Sequence, residues 1–218
     1  MPPVQIPFDI PIREAFKAGD FFVTPSNEAA VNWLDRWPHW RNSHCTIVYG
    51  TAGCGKTHLS HVWQHKSGAR PVNPGKFRRD ELSSNLIIDD VDNILENPEM
   101  QEKLFHLYNW QKENGGTLML TANKHPKHWP LDLPDLRSRM LASMTIEIGP
   151  PDDELLAAVI IKQFDDRQIN VPAEVVTYLI ARMERSFEAA RDIVSRIDNL
   201  ALAQKRKITI PLIRNLLL

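Results

Sequence analysis

The sequence predicts an α/β nucleotide-binding domain with a mostly parallel five-stranded sheet, followed by a small all-helical domain. Three observations predict it. A glycine-rich loop, Gly50-Thr51-Ala52-Gly53-Cys54-Gly55-Lys56-Thr57, stands between an apolar run and a helical pattern. Short apolar runs then alternate with helical periodicities as far as Ile148, an alternation that gives right-handed crossovers and a parallel sheet covered on both faces. After Gly149-Pro150-Pro151 the strand signals stop and only helical spacing continues.

Taken in order, Met1 to Ile12 contains Pro2, Pro3, Pro7 and Pro11 and is expected to be an extended tail outside the core. Ser26 is placed to N-cap a helix from Asn27 to about Trp37, with Glu28 in its first turn. Strands are expected at 45–49, 69–72, 85–89, 117–121 and 145–148, with helices at 58–65 and 99–113 between them. The second domain reads as helices at 152–165, 172–184, 187–204 and 210–217. Asp152 stands where an N-cap belongs and Pro172 where a first-turn proline belongs. The expected boundaries are a tail over 1–12, the α/β domain over 13–149 and the helical domain over 150–218.

Composition excludes several classes. The 218 residues carry a net charge of −1 with 43% hydrophobic and 24% charged residues, an ordinary globular balance with no global field to draw the chain to DNA or a membrane. No apolar run approaches the roughly 20 residues that span a bilayer. The N-terminus has no basic stretch ahead of an apolar block, so a secretory signal is not expected. Of the two cysteines, Cys45 falls in an expected buried strand and Cys54 inside the glycine loop, which argues against a disulfide or a zinc site. The eight histidines lack metal-ligand spacing. A reduced, cytoplasmic protein is expected.

The loop fits G-x-x-x-x-G-K-[ST], in which backbone N–H groups from Gly50 to Gly55 cradle the phosphates of a nucleotide. Lys56 is expected to reach the β- and γ-phosphates, the Thr57 hydroxyl to coordinate Mg²⁺, and His58 to lie in the first turn of the helix that points its N-terminus at the anion. Leu86-Ile87-Ile88-Asp89-Asp90 is an apolar strand ending in two carboxylates, expected to run beside the strand of the phosphate loop. Asp89 is assigned to the metal and Asp90 to the attacking water; Asp92 is expected to be merely exposed. Asn123 follows another apolar strand, at the edge where an amide contacts the γ-phosphate or the water. Leu136-Arg137-Ser138-Arg139 sets two arginines just before the last strand.

This order of parts (phosphate loop, acidic strand, polar strand tip, arginine, helical lid) resembles the AAA+ superfamily, and within it the DnaA branch. Phe21-Phe22-Val23-Thr24-Pro25-Ser26-Asn27 is similar to the segment lining the adenine pocket there, which implies that Phe22, Val23 and Asn27 contact an adenine nucleotide, ADP or ATP. Pro134-Asp135-Leu136-Arg137-Ser138-Arg139 resembles the arginine-finger segment, which implies that Arg139 acts in trans. The lid of the family carries an arginine near the start of its third helix. Glu188 stands there in this sequence, with Arg185 and Arg191 three positions to either side, and Arg191 is favoured as its substitute. Gln5-Ile6-Pro7-Phe8-Asp9-Ile10 looks like the peptide that docks on the sliding clamp, the β subunit of DNA polymerase III, with Gln5, Ile6, Phe8 and Ile10 as anchors. With no DNA-binding domain after Leu218, sequence-specific DNA binding is not expected.

The whole resembles the Hda-type, DnaA-homologous AAA+ proteins. The resemblance implies a clamp-bound regulator that provokes hydrolysis of DnaA-bound ATP and prevents over-initiation. DnaA and the clamp are the partners, no membrane is involved, and a homodimer is compatible with it. An autonomous ATPase similar to the DnaC-like helicase loaders is the alternative. A DnaA paralogue without catalytic effect is a third reading.

Overall fold

The computed structural model describes residues 23–40, 43–76, 84–204 and 206–216. Two compact units divide them, one of residues 27–149 and one of 150–216 together with 23–26.

The first unit holds five parallel strands: β1 (Cys45–Tyr49), β2 (Arg70–Pro71), β3 (Asn85–Ile88), β4 (Thr117–Ala122) and β5 (Met144–Glu147). Their spatial order is β2-β3-β4-β1-β5. Burial follows position in the sheet. Central β4 keeps Leu118, Met119, Leu120, Thr121 and Ala122 out of solvent, as a strand covered on both faces and paired on both edges requires. The edge strand β2 is two exposed residues, one of them Pro71, and an edge is where a residue without an N–H is tolerated.

One expectation is corrected here. The acidic strand does not run beside the phosphate-loop strand, because β4 lies between them, pairing Ile47 with Leu120 on one side and Ile88 with Leu120 on the other. The six-residue β4 has the longest buried run of any strand, five residues, as its central place in the sheet requires. The consequence is that residues near the end of β4 separate Lys56 from Asp89 and Asp90.

Around the sheet lie α1 (Glu28–Asp35), α2 (Lys56–Ser67), α3 (Pro98–Glu113) and α4 (Pro134–Ala142). A tryptophan stack fixes the first two. Trp40 stacks on Trp33 (5.8 Å) and on the fully buried Trp63 of α2 (5.3 Å). Trp33 Nε1 donates to Thr46 Oγ1 of β1 at 3.0 Å. The helix that follows the phosphate loop is thereby held against both α1 and the sheet. Ser26 does not cap α1. The cap position is Asn27, with no side-chain capping bond, while the Ser26 and Thr24 hydroxyls share a 2.8 Å hydrogen bond with each other.

The second unit is helical: α5 (Asp153–Asp165), α6 (Ala173–Ile180), α7 (Phe187–Gln204) and the short α8 (Ile210–Ile213), which runs on as a 3₁₀ turn over Arg214–Leu216. Asp152 caps α5, accepting the Leu155 N–H at 2.8 Å. Pro172 is the cap residue of α6 rather than a member of its first turn, and α6 ends at Ile180, four residues before the expected Glu184. Leu156, Ile160 and Phe164 meet Val176, Leu179, Val194 and Ile197 in a continuous apolar core.

Candidate nucleotide-binding site

The phosphate loop takes the backbone shape that its glycines permit. Gly53 (φ 73°) and Gly55 (φ 103°) are left-handed, where side chains with a Cβ are strained. A Cβ on Gly50 would run into the Ile148 carbonyl and come within 2.8 Å of Cys54 Sγ. Gly55 ends the loop at the start of α2, whose N-terminus has no side-chain cap, so backbone N–H groups remain for an anion.

Lys56 is 6% exposed, and its Nζ donates to the carbonyls of Gly50 (2.9 Å) and Thr51 (3.1 Å) and to Asn123 Oδ1 (3.1 Å). These are three neutral acceptors; among the described residues no carboxylate pairs with it. A buried ammonium with no carboxylate in direct contact fits an anionic ligand. Glycine backbone, helix terminus and lysine therefore suit a nucleotide phosphate chain. Thr51, Ala52, Thr57 and His58 are exposed around the loop. Burial raises the pKa of the Cys54 thiol, with Lys56 opposing, so the loop cysteine is a neutral packing group.

Asp89 and Asp90 follow β3. Asp90 is left-handed (φ 47°, ψ 48°), a conformation costing a non-glycine residue about 1–2 kcal/mol. Burial raises the pKa of its carboxyl; Lys56 pulls the other way, and Asp89 and Asp92 push it further up. An elevated carboxylate is the more basic one, the property a water-activating group needs. Asp89 is exposed, a side chain open to a cation.

Three residues of this edge escaped the sequence reading. Thr121, fully buried, accepts the Asp90 N–H and donates to Asp89 Oδ1, both at 2.8 Å. Asp92 is not merely exposed: it is half-buried and its Oδ2 accepts the Asn123 N–H at 2.9 Å, so it holds the residue whose amide holds Lys56. Gln101 of α3, 2% exposed, donates to the carbonyls of Leu95 and Pro130 and accepts the N–H groups of Asp132 and Leu133. It fastens the loop between Asn123 and α4. Apart from the Gln101–Leu95 bond, these contacts span about thirty positions of sequence, beyond the reach of any local pattern.

Arg139 lies in the last turn of α4, its guanidinium over the rings of Phe105 (4.9 Å) and Tyr108 (5.5 Å) of α3. Stacking uses the face of the guanidinium and leaves its in-plane N–H donors available. Asn27 is buried and belongs to the same unit as the loop; Val23, also buried, and Arg191, exposed, belong to the helical unit. Within that unit Arg185 pairs with Asp153 at 2.8 Å. Phe22, Gln5, Ile6, Phe8 and Ile10 lie outside the described residues.

A parallel sheet in this order, with a phosphate loop after β1 and acids after β3, defines a nucleotide-binding AAA+ domain, here accompanied by a helical lid. Known proteins specify it further. Residues 72–147 match the bacterial DnaA ATPase domain and residues 152–217 match the family described as Hda, lid domain. The ATPase segment is thus homologous to DnaA, and the chain carries a lid of the Hda type. It is 29% identical to the chromosomal replication initiator protein DnaA of Thermomicrobium roseum, over 88% of this chain and 47% of that one. It thus spans about half the length of the curated relatives it matches. In fold it is similar to domain III of Thermotoga maritima DnaA (TM-score 0.74, 20% identity, 91% of this chain and 95% of that one). It is also similar to AMPPCP-bound DnaA from Aquifex aeolicus (TM-score 0.68, 18% identity, 82% and 63%). Among the described residues no helix is long and apolar enough to cross a membrane.

Proposed function

We propose that this chain is a regulator of replication initiation that binds adenine nucleotide at Gly50–His58, docks on the DNA polymerase sliding clamp through Gln5, Ile6, Phe8 and Ile10, and stimulates hydrolysis of DnaA-bound ATP with Arg139. The observation that carries this reading is the pairing of a DnaA-like ATPase segment with an Hda-type lid in one chain. Arg139 supports it, since its guanidinium rests on the aromatic rings of α3 with its in-plane donors available. An arginine supplied to a neighbour's site stabilises charge developing on the γ-phosphate, an effect worth about 10³–10⁵ in rate.

In this chain's own site, Lys56 and the loop N–H groups hold the phosphates, and Phe22, Val23, Asn27 and Arg191 hold the remainder of the nucleotide. Thr57 and Asp89 hold Mg²⁺, which when bound neutralises charge on the phosphate oxygens. Asn123 and Asp90 orient the γ-phosphate and a water. The nucleotide here, ADP or ATP, acts chiefly as a structural clamp. The protein works in the cytoplasm, at the replisome, without sequence-specific DNA binding; a homodimer is compatible with this reading.

Weak binding by a six-residue peptide is offset by the several equivalent grooves of a ring-shaped clamp. The test is an assay of DnaA–ATP hydrolysis with and without DNA-loaded clamp. Stimulation that needs both clamp and this protein, and that is lost when Gln5 and Phe8 are replaced by Ala, is the expected result. Stimulation indifferent to the clamp or to these two residues rejects the tail's role.

The raised basicity of Asp90 favours a second reading, an autonomous ATPase of the helicase-loader type. Substantial turnover by the purified chain alone, abolished in Asp90→Ala, would select it.

A further inference from the structure

Thr121 sits in the most protected position of the sheet, near the end of β4, with β1 and β3 on either side. A hydroxyl buried there must find partners or lose what it had in water, and its two bonds are fixed in direction by elementary valence. The Asp90 N–H has only a proton to give, so Thr121 Oγ1 accepts it. The hydroxyl's single proton then goes to Asp89 Oδ1 at 2.8 Å. No other hydrogen bond to the Asp90 N–H or to the Asp89 carboxylate occurs among the described residues. One oxygen of Asp89 is thus tied down from behind, and the second is left open at the exposed edge of the sheet.

The same bond acts on Asp90. Its left-handed backbone (φ 47°, ψ 48°) persists only where the surroundings over-determine it, and the Thr121 acceptor is the hydrogen-bond partner its N–H has. A single side chain therefore sets both carboxylates. Because β4 intervenes between the phosphate-loop strand and the acidic strand, the residue able to do this lies on neither motif.

We propose that Thr121 is the positioning residue of the metal site, its hydroxyl holding Asp89 Oδ1 so that the other carboxylate oxygen is presented to Mg²⁺ and holding the turn at Asp90 that keeps the two acids apart. The inference rests on the reading that Asp89 binds Mg²⁺. Groups that orient a metal ligand from behind typically change metal affinity about 10–100-fold when removed, because a charge-assisted hydrogen bond is lost from the ligand itself.

The experiment measures binding of a fluorescent, non-hydrolysable ATP analogue to the full chain, first in EDTA and then over a Mg²⁺ titration. Thr121→Val, Thr121→Cys, Thr121→Ser and Asp89→Asn are compared with the parent. Val removes the hydroxyl at similar volume. Cys puts a poor donor in place of the hydroxyl, lacks the γ-methyl as Ser does, and stands in if the valine variant does not fold. The parent is expected to bind more tightly with Mg²⁺. Val and Cys are expected to leave EDTA affinity within about twofold of the parent and to raise the Mg²⁺ midpoint about tenfold or more. Ser, which keeps the hydroxyl, is expected to restore the parental midpoint, and Asp89→Asn to remove the Mg²⁺ effect.

The outcomes separate the two claims. An Asp89→Asn effect with unchanged midpoints in Val and Cys overturns the role of Thr121 alone. Binding indifferent to Mg²⁺ in the parent, or an unaltered midpoint in Asp89→Asn, overturns the metal reading and this inference with it. An equal loss of affinity in EDTA and in Mg²⁺ marks Thr121 as a packing residue and also overturns it.

Discussion

The two units hold themselves together by different means. In residues 27–149 polar side chains are buried and cross-linked: Lys56, Gln101 and Thr121 each join segments far apart in sequence. In residues 150–216 the only buried polar side chain among the described residues is that of Ser186, and the core is Leu, Ile, Val, Ala and Phe. Buried polar groups specify one arrangement because any other leaves them unsatisfied. Apolar packing contributes stability with less demand for a particular geometry. The unit that must set a lysine, an amide and two carboxylates to within fractions of an ångström is the one built with buried hydrogen bonds.

The comparison can be broken most forcefully from the apolar side. Phe164→Ala empties a fully buried site in α5 and is expected to destabilise the helical unit by about 3–5 kcal/mol. The chain's six tryptophans, Trp33, Trp37, Trp40, Trp63, Trp110 and Trp129, all precede residue 150, so their fluorescence reports the α/β unit alone. Loss of helical circular dichroism at a temperature where tryptophan emission is unchanged is expected. A coincident shift of both signals would mean that the units melt as one.

On the polar side, Lys56→Ala is expected to weaken nucleotide binding about 100-fold or more, roughly 2.7 kcal/mol, which equilibrium titration checks. Gln101→Leu keeps the volume but leaves the Asp132 N–H and the Leu95 and Pro130 carbonyls without their partner. It should cost about 1–3 kcal/mol, visible in the tryptophan-detected unfolding curve.

The smallest effect concerns pH. The pKa of Asp90 is raised on folding, by burial first. Its favourable contribution is thus complete below the ordinary carboxylate value and disappears as pH rises through the raised one. Asp90→Asn is therefore expected to be slightly more stable than the parent at pH 7 and no more stable at pH 3. Solvent screening keeps the difference under about 0.5 kcal/mol, and melts at the two pH values check it.

What the sequence made legible follows the range of the interaction. The glycine loop, the Asp152 cap and the Phe187–Gln204 helix are written in neighbouring residues, and local chemistry suffices to read them. Asp92 looked like a solvated acid because the N–H it accepts belongs to Asn123. Gln101 carries no local signal because its four partners lie in two other segments. Strand order was misread for the same reason: which strand lies next to which is decided by the packing of whole elements, and β4 enters the sheet between two motifs that precede it in sequence. Ser26 was a sound cap by type, but the helix begins one residue later than that reading needs.

In the proposed function the chain's own loop holds a regulatory nucleotide while Arg139 acts on a neighbour. The most direct measurement is single-turnover hydrolysis of labelled ATP preloaded on DnaA, with DNA-loaded clamp and, in turn, the parent chain, Arg139→Ala and Asp90→Ala. Loss of stimulation with Arg139→Ala, about 10³-fold or more, and its retention with Asp90→Ala is the predicted result. Stimulation that survives Arg139→Ala but is lost in Asp90→Ala would contradict the account.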